Sequence, residues 1–288
     1  MFKTILTLCC CNIVLFGAAA PVVRDGDRIA FLGDSITAHG VNMDGGYVNL
    51  VIAGLRANGI NAEKIPAGVG GNKSNQMLAR LDAVLAGKPT LMLLSCGVND
   101  VWHGSRGVPL AEYRKNITAI VERTQSAGVR VCILTATVIR ENPEDKFNRN
   151  LVAYNDFLRQ LAKEKNCLLA DLNAEMWRTL AALKAAYPGV KGNLLTYDGV
   201  HMMPSGNVVM AKGILRTLGL DDRQLAAAER TWGAKRAPVG MLQITVDEMK
   251  AILPRAAARG MSVTEYIQDL IARDGTEPQA PTGGKRRP

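Results

Sequence analysis

The sequence predicts a doubly wound α/β fold on three observations: five short apolar runs recur, amphipathic stretches of helical length separate them, and glycines stand where most of those stretches stop. The runs are Ile29 to Leu32, Ala62 to Val69, Leu91 to Cys96, Val131 to Ala136 and Cys167 to Leu172. Leu91-Met92-Leu93-Leu94 has no polar face, as expected of a strand covered by helices on both sides, so the sheet should be parallel and buried.

Each intervening stretch reads as a covering helix. Tyr47 to Asn58, Asn72 to Ala86, Leu110 to Ala127, Phe147 to Lys165 and Ser205 to Leu218 carry apolar residues at helical spacing, with Gly59, Gly87, Gly128 and Gly219 as stop signals. Open parallel sheets bind ligands beyond the carboxyl ends of their strands, which directs attention to the loop after each run.

A chain of 288 residues can bury the core of one α/β domain and still carry a modest appendage. With 48% hydrophobic and 21% charged residues, it is neither disordered nor collagen-like. Residues 1–20 read as a secretory signal peptide, with Lys3 as the basic start, Ile5 to Phe16 as the apolar stretch and Gly17-Ala18-Ala19-Ala20 as the cleavage region. A secreted or periplasmic location is therefore expected. The apolar stretch is shorter than the roughly 20 residues of a spanning helix, Asn12 interrupts it, and no lipidation cysteine follows, so no stable membrane anchor is expected.

Cys9, Cys10 and Cys11 would leave with the signal. The remaining Cys96, Cys132 and Cys167 lie in or beside apolar runs and read as buried small hydrophobes; none forms a close Cys/His ligand pair for zinc. The net charge of +9 is diffuse, with Lys285, Arg286 and Arg287 the one dense basic run, which reads as a solvated tail. Diffuse basicity does not choose among acidic polysaccharide, anionic lipid and nucleic acid.

Gly33-Asp34-Ser35-Ile36-Thr37 follows the first run and puts a hydroxyl on a strand-to-helix turn, where Gly33 permits close backbone packing. That is the setting of a nucleophile elbow, although G-x-S-x-G itself is absent and Ser35 could instead cap the following helix. A serine needs a base, and the chain has three histidines, His39, His103 and His201. His201 has a carboxylate three residues before it, Asp198, suited to orient an imidazole and stabilise its protonated form. Donors for a developing oxyanion are offered by Gly68-Val69-Gly70-Gly71-Asn72 and Gly97-Val98-Asn99-Asp100, both of which also read as ordinary turns.

Gly-Asp-Ser near the start, Gly-Asn after the second run, Gly-x-Asn-Asp after the third and Asp-x-x-His near residue 200 together resemble the SGNH, or GDSL, hydrolases. The resemblance implies a three-layer α/β/α sandwich with a five-stranded parallel sheet, flavodoxin-like, over roughly residues 21 to 220. It also implies serine ester hydrolysis without metal or organic cofactor. Carried over by motif, Ser35 is the nucleophile, Asp198 and His201 complete a triad, and the Ser35 N–H, the Gly71 N–H and the Asn99 side chain form the oxyanion hole. Gly71 is preferred to Gly70 because it directly precedes the polar residue expected to open the next helix. A phosphate-binding loop at Gly68 to Ser74 fails on spacing, since Asn72 and Ala67 stand where that motif needs glycine.

Beyond Leu220, a strand-like Leu242 to Val246, a helical stretch from Asp247 and a capped helix opening at Ser262-Val263-Thr264-Glu265 suggest a small, mostly helical appendage over residues 221–275. In outline it is similar to ribbon-helix-helix proteins, which dimerise and read DNA. Pro254 inside the first helix and export of the chain argue against nucleic acid, leaving packing or a homodimer contact as its expected role. Residues 276–288 read as disordered and basic.

The family resemblance and the signal peptide together point to short acyl esters of carbohydrates, acetyl above all, as substrates. Lipid-directed lysophospholipase or thioesterase activity is the enzymatic alternative, and an inactive ligand-binding relative or a nucleic-acid binder the non-enzymatic ones. Every motif lies before residue 202, so a chain truncated after Leu220 is expected to fold and hydrolyse esters. A soluble, folded truncation without activity would show that the appendage completes the site.

Overall fold

The computed structural model describes residues 22–239 and 242–274; the expected signal peptide and basic tail lie outside the described residues. Five apolar runs pair as a parallel sheet: β1 (Arg28–Gly33), β2 (Glu63–Gly68), β3 (Leu91–Ser95), β4 (Arg130–Leu134) and β5 (Leu168–Ala170). Their order is β2-β1-β3-β4-β5. The first crossover runs from β1 outward to β2 and the later ones from β3 toward β5. The strand order therefore switches between β1 and β3, where a crevice opens at the carboxyl ends.

Helices cover both faces. α1 (Ser35–Asn42) and α2 (Tyr47–Ala57) join β1 to β2, and α3 (Ser74–Ala79) and α4 (Leu81–Leu85) join β2 to β3. α5 (Val98–Trp102) and α6 (Leu110–Ser126) lead to β4, α7 (Lys146–Glu164) to β5, and α8 (Leu172–Ala186) and α9 (Pro204–Thr217) follow. α2 packs on α9 and α9 on α8, while α6 packs on α3 and α7, which gives the three-layer sandwich. Ile29, Phe31 and Leu91 are fully buried, as are Met92 and Cys132. Such two-faced burial explains why the runs of β1, β3 and β4 show no alternation.

Two differences from the sequence expectation lie in the covering helices. The helix expected over Asn72 to Ala86 opens at Ser74 and breaks at Arg80, which leaves helical geometry at φ −105° and ψ 8°. Asn72 is instead part of a turn, its N–H donating to the Val69 carbonyl. The Arg80 guanidinium donates to Asn72 Oδ1 at 2.8 Å and to the carbonyls of Gly33 and Ala67 at 2.9 and 2.8 Å, stapling the ends of β1 and β2. The second difference is α8, hidden in a stretch with no expected element. It starts where Asp171, inside the last predicted run, caps it by accepting from the Ala174 N–H.

Beyond α9 come α10 (Asp222–Glu229), β6 (Arg236–Val239), β7 (Leu242–Thr245), α11 (Val246–Arg259) and α12 (Val263–Asp274). The expected strand is β7, and it pairs antiparallel with β6 of the same chain, a partner the sequence pattern did not reveal. Pro254 sits inside α11 without ending it, on an exposed face where the carbonyl it leaves unpaired can bind water. The capping box expected at Ser262 is present, with Ser262 and Glu265 exchanging side-chain to N–H bonds at 3.1 and 2.8 Å.

Leu220 does not coincide with a break in packing. Trp232 is among the largest fully buried side chains, and its Nε1–H donates to the Leu50 carbonyl on α2 at 3.0 Å. Leu225 and Ala228 of α10 join the same core, Gly45 N–H donates to the Arg236 carbonyl at 2.7 Å, and Lys191 N–H to the Met261 carbonyl at 3.1 Å. Trp232→Ala should therefore destabilise the protein by about 3–5 kcal/mol in urea unfolding, the usual cost of removing a buried aromatic. A loss under about 1 kcal/mol would mean that α10 and its tryptophan are only loosely docked.

Candidate active site

Ser35 is the first residue of α1, directly after β1. It does not cap the helix: Asp34 does, accepting from the Ile36 N–H at 2.9 Å, which leaves the Ser35 hydroxyl free to face another element. The turn is tight enough that a Cβ at Gly33 would fall 2.0 Å from Thr37 Oγ1 and 3.2 Å from the Ser95 carbonyl, so only glycine fits. Position N1 also leaves the Ser35 N–H among the helix donors without an intrahelical acceptor, at the positive end of the helix.

Across the crevice, the loop before α9 brings His201 Nε2 to 2.8 Å from Ser35 Oγ. His201 Nδ1 lies 2.6 Å from Asp198 Oδ2, and Asp198 Oδ1 accepts from the N–H groups of Val200 at 2.9 Å and His201 at 2.7 Å. Partial burial pushes the Asp198 carboxyl up, but the bonds from the His201 ring and the two N–H groups outweigh it and hold the group down to about 2. An ionised carboxylate only accepts, so the ring proton sits on Nδ1 and Nε2 is left to accept the serine proton. Ser35, His201 and Asp198, singled out from the sequence, thus form one continuous hydrogen-bonded chain.

His39 and His103 occupy different settings. His39 lies one turn after Ser35 on α1, half-buried, with its ring centroid 4.7 Å from that of His201; Tyr197 stacks on His201 at 5.8 Å. Burial, then the neighbouring His201, hold its pKa below the ordinary histidine value, while Asp198 acts in the opposite sense. His103 also titrates low, through burial and then the positive charges of Lys73 and Arg106. Neither has a hydrogen-bonded carboxylate of the kind Asp198 provides.

The two candidate donor loops meet beside Ser35. Asn99 is buried in the first turn of α5, and its Nδ2 group donates to the Asn72 carbonyl at 3.2 Å and to Asp34 Oδ2 at 3.4 Å. Gly71 is exposed, with φ +73°, in the turn before Asn72, and it does not directly precede a helix as expected. Asp100, which the sequence reading left without a role, binds the two loops together. Its Oδ1 accepts from the Ser74 N–H at 3.0 Å and the Ser74 hydroxyl at 2.6 Å. Burial raises its pKa against those bonds and pushes the neighbouring Cys96 thiol well up, making that thiol inert. Among the described residues no group of three or more His, Cys, Asp or Glu is arranged to hold a metal.

The family described as GDSL-like lipase/acylhydrolase matches residues 31–209 of this chain. An acetylxylan esterase of Geobacillus stearothermophilus is 28% identical over 219 residues, spanning 69% of this chain and 97% of that protein. Esterase TesA of Pseudomonas aeruginosa is 30% identical over 172 residues, spanning 59% and 77%. The crystal structure of Axe2, an acetylxylan esterase from G. stearothermophilus, superposes with a TM-score of 0.61 at 27% identity, over 69% of this chain and 97% of that one. Three further structures of that enzyme are of catalytic mutants in which a serine, an aspartate or a histidine is replaced by alanine, the aspartate three positions before the histidine.

Asp34 gives the site a pH signature. Its carboxyl is fully buried, and burial, opposed mainly by the Ile36 N–H, raises it from 3.8 to about 6. Between those two values the folded chain holds a proton that the unfolded chain has released, so this group's contribution to stability is lost as pH rises through the window. Asp34→Asn keeps the cap to Ile36 and abolishes the titration. The melting temperature of the parent minus that of Asp34→Asn should fall as pH is raised from 3.8 to about 6 and level off above it. A difference that stays constant across the window would show that Asp34 is not held protonated.

Proposed function

Because the chain belongs to the GDSL-like lipase/acylhydrolase family and is a carboxylic ester hydrolase, we propose that it removes short acyl groups, acetyl foremost, from carbohydrates through an acyl-enzyme on Ser35. The observation that carries this reading is the hydrogen-bonded chain Ser35 Oγ, His201 Nε2, His201 Nδ1, Asp198 Oδ2.

In this mechanism His201 takes the Ser35 proton as Oγ attacks the ester carbonyl, and Asp198 stabilises the imidazolium so formed. Charge moves onto the carbonyl oxygen, for which the Ser35 N–H, the Gly71 N–H and the Asn99 amide are the proposed donors. The tetrahedral intermediate collapses, the sugar hydroxyl leaves with the proton from His201, and Ser35 retains the acyl group. Water, deprotonated by the same imidazole, then releases the acid and restores the serine.

Two comparisons support the substrate assignment. The acetylxylan esterase relative aligns over 97% of its own length, and its catalytic mutants concern a serine and an aspartate–histidine pair with the spacing of Asp198 and His201. Export, proposed on the signal peptide, suits a polymeric substrate outside the cell. No helix among the described residues is long and apolar enough to cross a membrane. Hydrolysis is assigned to residues 21–220, with residues 221–275 as an appendage that packs on them and is a candidate homodimer contact; nucleic acid and cofactors have no part in the scheme.

Purified protein should cleave acetylated xylo-oligosaccharide and p-nitrophenyl acetate in preference to p-nitrophenyl octanoate and lysophospholipid. Preference for the long-chain substrates would replace this reading with a lipid-directed one. Ser35→Ala and His201→Ala should each lower kcat by more than about 10⁴-fold. Asn99→Ala should lower kcat by about 10²- to 10³-fold with KM nearly unchanged, because an oxyanion donor acts on charge present only in the transition state. A folded Asn99→Ala enzyme with near-normal kcat would remove that side chain from the oxyanion hole.

A further inference from the structure

Glu141 lies in the loop between β4 and α7, only 5% exposed. Its carboxylate accepts four hydrogen bonds, all from one three-residue segment more than fifty positions away. Oε2 takes the Leu194 N–H at 2.7 Å; Oε1 takes the N–H groups of Leu195 and Thr196 at 2.8 and 2.6 Å and the Thr196 hydroxyl at 2.7 Å. No other carboxylate in the described residues gathers so many donors from one segment.

That segment is the stem of the loop carrying Asp198 and His201. Thr196 bridges to Met202, Tyr197 N–H donates to the His201 carbonyl at 2.9 Å, and Met203 N–H to the Leu195 carbonyl at 2.8 Å, so residues 195–203 form a closed hairpin-like turn. The loop bearing Glu141 grips this turn twice. Glu141 holds the stem, and the Arg140 N–H donates to the carbonyl of Gly199, at the tip, at 2.7 Å. The tip contact is close: Gly199 has φ +92°, and a Cβ there would lie 3.2 Å from Arg140 Cα.

The gripping loop is itself held in an unusual conformation. Arg140 and Glu141 have φ of +58° and +47°, the one adjacent pair of non-glycine residues in the left-handed region among the described residues. Two consecutive left-handed residues reverse the chain, which turns the Glu141 side chain inward while the Arg140 N–H faces Gly199. Backbone strain of this kind persists only where surrounding contacts over-determine it, and here those contacts include the ones made to the His201 turn, beside the Asn148 side chain, which bonds the backbone of Ile139 and Asn142 on either side.

We propose that Glu141 is a positioning residue, whose grip on Leu194 to Thr196 sets where the His201 imidazole meets Ser35 Oγ. The proposal rests on the reading that Ser35 and His201 carry the reaction. The Nε2 to Oγ contact of 2.8 Å leaves little room for displacement, and a shift of about 1 Å at such a contact costs about 10²-fold in rate. A residue acting this way changes the chemical step and leaves substrate binding almost untouched.

The test uses the full chain with p-nitrophenyl acetate, well below the melting temperature and with rates normalised to folded protein, for Glu141→Ala, Glu141→Gln and Ser35→Ala. Glu141→Ala should lower kcat by about 10²-fold and move KM by less than about threefold. It should also broaden or shift the downfield proton resonance of the His201 to Asp198 hydrogen bond. Glu141→Gln keeps an acceptor for Leu195 and Thr196 but turns an amide N–H toward the Leu194 N–H, so its kcat should fall between those of the parent and Glu141→Ala. A folded Glu141→Ala protein with parental kcat and an unmoved resonance overturns the proposal, leaving Glu141 a purely structural anchor. If Glu141→Ala does not fold, Glu141→Gln decides, a parental kcat again overturning the proposal and a reduced kcat at unchanged KM supporting it. Failure of the underlying reading is separable, because it would appear as activity retained by Ser35→Ala.

Discussion

A 2.8 Å hydrogen bond between Ser35 Oγ and His201 Nε2 joins positions 166 residues apart, and the rest of the structure serves to hold its two ends. One end is fixed by the sheet. Ser35 follows β1 at the point where the strand order reverses, and α1 starts there with Asp34 as its cap. The other end belongs to a turn that has no strand to rest on. Its geometry comes from Asp198 accepting two N–H groups within the turn and from contacts lent by the Arg140–Glu141 loop.

Around this bond lies a set of buried polar groups that an apolar core would exclude. Asp34, Asn72, Ser74, Asn99 and Asp100 come from the loops after β1, β2 and β3, and hydrogen bonds link them directly across those loops. Burial raises Asp34 to about 6 and also raises Asp100, so part of the stability of the fold is given up where the loops meet. Rigidity is the physical return. In a low-dielectric setting a satisfied network fixes side-chain directions, and donors aimed at an oxyanion must already be in place when the charge appears.

The segment after α9 contributes packing to the hydrolase layers. Trp232 fills space between the turns of α2, where Gly54 leaves room for Leu215, Ala228 and the indole, and the β6–β7 hairpin carries the chain across to α11. The core cluster accordingly runs without interruption from Val23 to Ile267. The sequence reading allowed packing as a role for this segment but not its place, because a change of hydrophobic pattern reports where an element type changes, and says nothing about which surface the next element covers.

Hydrophobic period was enough, without coordinates, to predict the parallel sheet and the principal helices, and motif spacing with the family resemblance singled out Ser35, Asp198, His201 and Asn99 as candidates. Those features are local: a strand buried on both faces must be apolar throughout, and Asp198 and His201 stand three residues apart within one turn. The tertiary structure alone decided the remainder. Arg80 ended a helix early because three acceptors lay beside it, and α8 followed from a cap hidden inside a strand-like run. His39 came to rest against His201, and Glu141, an unremarkable acidic residue in a polar loop, became the anchor of the His201 turn. Each depends on partners distant in sequence, and a side chain's role in such a case is set by which donors and acceptors folding delivers to it.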